Sequence, residues 1–131
     1  MKIKIVDCLE WRAPDKPGQL LRFASEFKKR GVNLDMLWRY GGAKPAIGAA
    51  AKRPAELKAA LKALGVKAEA CRCFFISGAD AAGVLVAALE KLAAGRVNVE
   101  CSTALAAQGK FGAMLWVQDR DLAKARRLLK A

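Results

Sequence analysis

Histidine is absent from this 131-residue chain. That removes the commonest general base at neutral pH and every His-dependent catalytic triad. The chain also lacks a Gly-x-Gly-x-x-Gly run and a Gly-Lys-Ser/Thr phosphate loop. Acidic residues number 12 against 24 lysines and arginines, and they are scattered rather than paired. The pattern advertises no catalytic residue, and a non-enzyme is expected. No 18-residue apolar run is present to span a bilayer as a helix. Met1-Lys2-Ile3-Lys4-Ile5 is too short and too charged for a secretory signal, so a cytoplasmic protein is expected. Cys8, Cys71, Cys73 and Cys101 read as small apolar residues of a reducing compartment. Cys71-Arg72-Cys73 lacks the two-residue gap of a zinc knuckle, so neither a metal nor a cofactor is expected.

What the chain does have is a repeat. Residues 14–64 recur without a gap at 79–129, an offset of 65 (83 − 18) when Gly18 is laid on Gly83. Asp15 then falls on Asp80, Leu20 on Leu85, Val32-Asn33 on Val97-Asn98, Ala60 on Ala125 and Leu64 on Leu129. The apolar pattern persists between identities, with Phe27 over Leu92, Leu34 over Val99 and Ala49 over Met114. Two copies are too few for a solenoid and suit two small layered units, 1–65 and 66–131.

Each copy reads as β-α-β-β-α. Ile3, Ile5, Leu9 and Trp11 alternate with charged residues, which predicts a strand. Arg12 to Gly18 is a Pro/Gly loop with Asp15 placed as a helix N-cap, and Leu20, Leu21, Ala24 and Phe27 form one helical face up to Gly31. Strands follow over Val32–Tyr40 and Pro45–Ala51, joined by Gly41-Gly42-Ala43, and a helix runs over Pro54–Leu64. Copy two repeats the order, but the chain stops before a final strand. Right-handed crossovers then give an α+β fold of two ferredoxin-like βαββα(β) repeats, with antiparallel sheets and helices on one face.

The most pointed residues are the strand–helix turn and the asparagine that opens the second strand. Asp15-Lys16-Pro17-Gly18-Gln19-Leu20 offers backbone N–H groups at a helix N-terminus, where anions are favoured. Gly18 and Gly83 lack a side chain that would keep a ligand from the backbone. Asn33 and Asn98 carry an amide that both donates and accepts. An ordinary helix start and an ordinary turn asparagine would look the same; the duplication is what raises both above that reading.

Asp15 to Leu20 followed by Gly31-Val32-Asn33-Leu34-Asp35 resembles the signature of the ACT domain, a small amino-acid-sensing module. The resemblance covers nearly the whole chain as two tandem copies. It implies a regulatory protein that binds a free amino acid, or a similar small zwitterion, at the seam between repeats. Asp15 to Leu20 would face Asn98, while Asp80, Gly83, Val84 and Leu85 would face Asn33. Copy two departs from the motif, with Ala82 for Pro17 and Arg96 for Gly31. An open sheet edge would invite a second chain to form a homodimer.

A net charge of +12 supports a different function, a basic ferredoxin-like nucleic-acid-binding module. Trp11, Trp38 and Trp116 could then stack bases. Gly109-Lys110-Phe111-Gly112 faintly resembles a strand of RNA-recognition motifs, but Lys44-Pro45-Ala46-Ile47 offers no matching aromatic. Lysines and arginines that coat helix surfaces and helix C-termini give the blander account of the charge.

Overall fold

The computed structural model describes residues 1–41 and 45–131. Of the expected connection Gly41-Gly42-Ala43, the last two residues lie outside this set. The elements are β1 (Lys2–Arg12), α1 (Gln19–Lys29), β2 (Leu34–Tyr40), β3 (Ala46–Ala51), α2 (Pro54–Ala63), β4 (Glu69–Ala79), α3 (Val86–Ala94), β5 (Val99–Ala107), β6 (Lys110–Val117) and α4 (Leu122–Leu129). A single 3-10 turn, Asp119–Asp121, leads into α4. The fold is thus α+β, with antiparallel strand pairs and two ferredoxin-like repeats.

Two compact units are present. One is Asp7–Cys71, called here the first unit; the second unit joins Met1–Val6 to Arg72–Ala131. β1 therefore serves two cores. Its alternation is continuous, yet Leu9 and Trp11 pack in the first core while Ile3 and Ile5 pack against the second.

In the first unit the strand order is β2-β3-β1. Phe23 and Phe27 of α1 and Leu57, Ala60 and Leu61 of α2 pack on Trp11, Ile47, Ala49 and Ala51 of the strands. Trp11 meets the Phe23 ring at 5.2 Å and the Phe27 ring edge-on at 6.0 Å. All six β3 residues are buried, which explains how a run of alanines holds a strand: small side chains let the helices approach closely. On the opposite face Gly48 pairs with Trp38, whose indole occupies the space a Cβ on Gly48 would need.

In the second unit β1 lies beside β4, followed by β6 and β5. Met1 Cα stands 3.3 Å from where a Cβ on Gly78 would be, and Lys4 Nζ lies 5.8 Å from the Phe75 ring centre. Ala88 and Leu92 of α3 and Ala125 and Leu129 of α4 pack on Phe74, Ile76, Ala113, Leu115 and Val117.

The repeat is not in step at its third strand. Ile47, Ala49 and Ala51 face the first core, and their counterparts facing the second are Ala113, Leu115 and Val117, an offset of 66 (113 − 47). Ala49 thus matches Leu115, not Met114. A one-residue slip would turn every side chain of the strand to the wrong face, so the core sets the register and the hairpin absorbs the extra residue. In copy two that hairpin turns at Gln108-Gly109, both with positive φ (52° and 76°).

A second difference lies in β2. The pairing shifts between Leu34 and Met36: Leu34 pairs with Ala51 on the helix side, Met36 with Ala50 on the other. This bulge takes Leu34 off the face shared by Met36, Trp38 and Tyr40, and Leu34 packs against the first core. The matching irregularity recurs between Val99 and Cys101 in β5.

Candidate functional site

The turn before α1 is built by its glycine. Gly18 is the N-cap with φ +90°, a left-handed conformation that costs glycine little, and its carbonyl accepts the Arg22 N–H at 2.9 Å. The expected N-cap, Asp15, does not cap the helix. Its carboxylate accepts a hydrogen bond from Arg39 Nη2 at 2.5 Å instead. Arg39 can reach it because the β2 alternation puts Arg39 and Leu37, paired with Ile47 and Ala49, on the helix side of the sheet. No acidic residue occupies the first turn of α1, so its N-terminal dipole is not neutralised from within the helix.

Asp15, Lys16, Pro17, Gly18, Leu20 and Arg39 line an open cleft of about 420 Å³. That volume suits a small molecule. The cleft offers a carboxylate and a guanidinium held side by side, an ammonium from Lys16, and the head of α1. Gln19 turns inward instead, and its Oε1 is buried with no hydrogen-bond partner.

The equivalent turn in the second unit has different chemistry. Gly83 again takes a positive φ (+71°), and the backbone turns through Val84 N–H to Ala81 O at 3.2 Å and Val86 N–H to Gly83 O at 2.9 Å. Asp80, Gly83, Val84, Leu85 and Val86 line a cleft of about 280 Å³ with Ala104, Leu105 and Phe111. Ala104 stands where the first unit has Arg39, and Val84 where it has Gln19. The second cleft is therefore nearly apolar, Asp80 being its one charged residue.

The asparagines lie apart from the cleft of their own unit. Asn33 precedes β2 and is exposed; its carbonyl accepts the Lys52 N–H at 3.0 Å. Asn98 is exposed, and its amide donates to Glu100 Oε1 at 3.4 Å. Neither lines the cleft of its unit. Arg39, in contrast, was not singled out by the motif. The signal for it is strand alternation, which sets Leu37 and Arg39 on one face of β2.

Trp11 is buried in the first core and cannot stack on a ligand, while Trp38 lies over Gly48. Phe111 is half-buried against the second core. Among the described residues there is no cluster of three or more metal-ligating side chains, and no helix is long and apolar enough to cross a membrane.

No family model matches the chain, and neither does any curated sequence. Solved structures do match. A protein of Bacteroides thetaiotaomicron superposes with a TM-score of 0.82 at 22% identity, over 98% of this chain and 88% of that one. The regulatory subunit of aspartate kinase from Thermus thermophilus matches with a TM-score of 0.63 at 15% identity, over 99% of this chain and 96% of that one. The Thermus flavus subunit gives 0.64 at 15%, over 98% and 94%. The fold is therefore shared with the regulatory subunits of two aspartate kinases.

Proposed function

We propose that this chain is a non-catalytic, cytoplasmic regulatory protein of tandem ACT type that binds a free amino acid or similar small zwitterion. The observation that carries the reading is the Arg39–Asp15 pair in the cleft at the head of α1. A zwitterion is its electrostatic complement: Arg39 matches a carboxylate with two parallel N–H donors, and Asp15 matches an ammonium. The left-handed Gly18 keeps the backbone bare beside them. The likeness to aspartate kinase regulatory subunits supports a sensing role, and the resemblance of the turn motif supports an amino acid as ligand. A thermal-shift screen of the twenty common amino acids tests it, because a ligand that binds only the folded state raises the melting temperature. The net charge of +12 favours the alternative, a nucleic-acid-binding module, and a poly-U arm in the same screen addresses it.

A further inference from the structure

We infer that the first unit carries a second ligand site, for an organic phosphate monoester with an apolar body, in the cleft beside the C-terminal end of α2. The cleft measures about 420 Å³, within the range of small-molecule sites. Its apolar lining is Leu9 of β1, Leu61 of α2, and Val66 and Ala68 of the connection to β4. Leu61 is buried, and the other three pack against the first core, so folding fixes this surface. Lys58, Lys62 and Lys67 supply every charged group of the lining. The cleft shares no residue with the one at the head of α1.

The three ammoniums are uncompensated. None forms an ion pair among the described residues. Of the acidic residues near them in sequence, Glu10 accepts from Tyr40 and Glu56 pairs with Arg53, while Asp7 and Glu69 do not line the cleft. Lys58 and Lys62 stand one helical turn apart, where like charges repel and an anion between them is favoured. Lysines near a helix C-terminus commonly serve its last carbonyls. Here the backbone does that itself. Leu64 N–H bonds to Ala60 O at 3.1 Å, Gly65 N–H to Lys62 O at 3.0 Å and Val66 N–H to Leu61 O at 3.1 Å, around Gly65 at φ +70°. The second copy does not repeat the set, having Ala123 at the Lys58 position and Arg126 at the Leu61 position.

Three lysines and no arginine favour phosphate over carboxylate. A carboxylate is matched best by the planar fork of an arginine, whereas ammoniums act as point charges that can gather around the several oxygens of a phosphate. The apolar lining adds the demand for a body, because inorganic phosphate would leave Leu9, Leu61, Val66 and Ala68 without a contact. A polyanion would answer to the whole charge of +12 rather than to this cleft.

Calorimetry with phenyl phosphate on the full chain tests this, beside inorganic phosphate and benzyl alcohol, which carry the charge and the body alone. Phenyl phosphate is expected to bind at one saturable site, and each of the other two at least about tenfold more weakly. Lys58→Gln and Lys62→Gln are each expected to weaken phenyl phosphate about ten- to a hundredfold. Both residues are exposed, so the melting temperature without ligand should stay near that of the parent. Lys124→Gln removes an exposed charge from α4 and is expected to leave the affinity unchanged. Amide shifts during the titration are expected to centre on Gly65 to Ala68. The inference is overturned by the absence of saturable binding, by an affinity that survives Lys58→Gln and Lys62→Gln together, or by inorganic phosphate binding as tightly as phenyl phosphate. An equal loss in Lys124→Gln overturns it too, since net charge alone would then be the attraction. None of these outcomes depends on the amino-acid screen of the other cleft.

Discussion

Arg39 on β2 reaches back to Asp15 in the β1–α1 turn and holds its carboxylate at 2.5 Å. The pair lies at the surface, with 31% of the Arg39 side chain and 68% of the Asp15 side chain exposed. Exposed pairs of this kind add about 0–1 kcal/mol to stability. Its value is therefore in positioning two opposite charges beside a helix N-terminus. Arg39→Ala is expected to lower the affinity for the cognate amino acid ten- to a hundredfold, about 1.5–3 kcal/mol, by removing a hydrogen bond to a charged group. Its melting temperature without ligand should stay close to that of the parent. Calorimetry and a thermal melt read the two effects separately.

The asparagines test the part of the account that comes from the motif. Asn33→Ala and Asn98→Ala both remove exposed side chains and leave the core intact. One of them is expected to weaken binding by a similar ten- to hundredfold. Unchanged affinity in both would confine the ligand to the turn and Arg39.

Trp38 over Gly48 gives a stability prediction. Gly48→Ala puts a methyl where the indole sits and is expected to destabilise the first unit by about 1–3 kcal/mol. Trp38→Ala vacates the space, so the double variant should recover much of the loss contributed by Gly48→Ala. A double-mutant cycle in urea measures the coupling; simple additivity would show that the ring does not rest on Gly48.

The acid limb of the stability curve carries one identifiable contribution. Arg30 Nε donates to Glu26 Oε1 at 2.8 Å, four residues apart on α1 and its C-cap. That hydrogen bond, helped by the charges of Lys29 and Arg30 and opposed by partial desolvation, holds the Glu26 carboxyl below its usual value. A lowered folded-state value stabilises the protein above the ordinary glutamate range and loses that support as pH falls through the lowered value. Glu26→Gln should therefore melt slightly earlier than the parent at pH 6, with the difference vanishing at the bottom of the acid limb. Melts across pH 2–6 decide it.

The sequence reveals element order because periodicity carries it, but not the core face of α1: the expected Leu20 and Leu21 are exposed, and Phe23 packs with Phe27 in the first core. The sequence hides what long-range packing decides. The offset-65 alignment placed Ala49 on Met114, but alternation against the helices matches Ala49 to Leu115. Four apolar residues of β1 share one alternation, and nothing local tells Ile3 and Ile5 from Leu9 and Trp11, which pack on different cores. Asp15 fits the composition of an N-cap, yet the cap is Gly18 because the left-handed turn places Asp15 nearer to Arg39. The motif located the clefts; it could not show that one is charged and its duplicate nearly apolar, because that contrast depends on residues 39 and 104 of the neighbouring strands.

The central claim is that the first-unit cleft binds a zwitterion. Isothermal titration calorimetry of the unaltered chain and of Arg39→Ala, using the amino acid that most raises the melting temperature, tests it most directly. The account predicts saturable binding by the parent that falls ten- to a hundredfold in the variant. Contradiction would be an affinity the same in both proteins, or no binding of any amino acid alongside tight, steeply salt-dependent binding of single-stranded RNA, which would make the net charge the better guide.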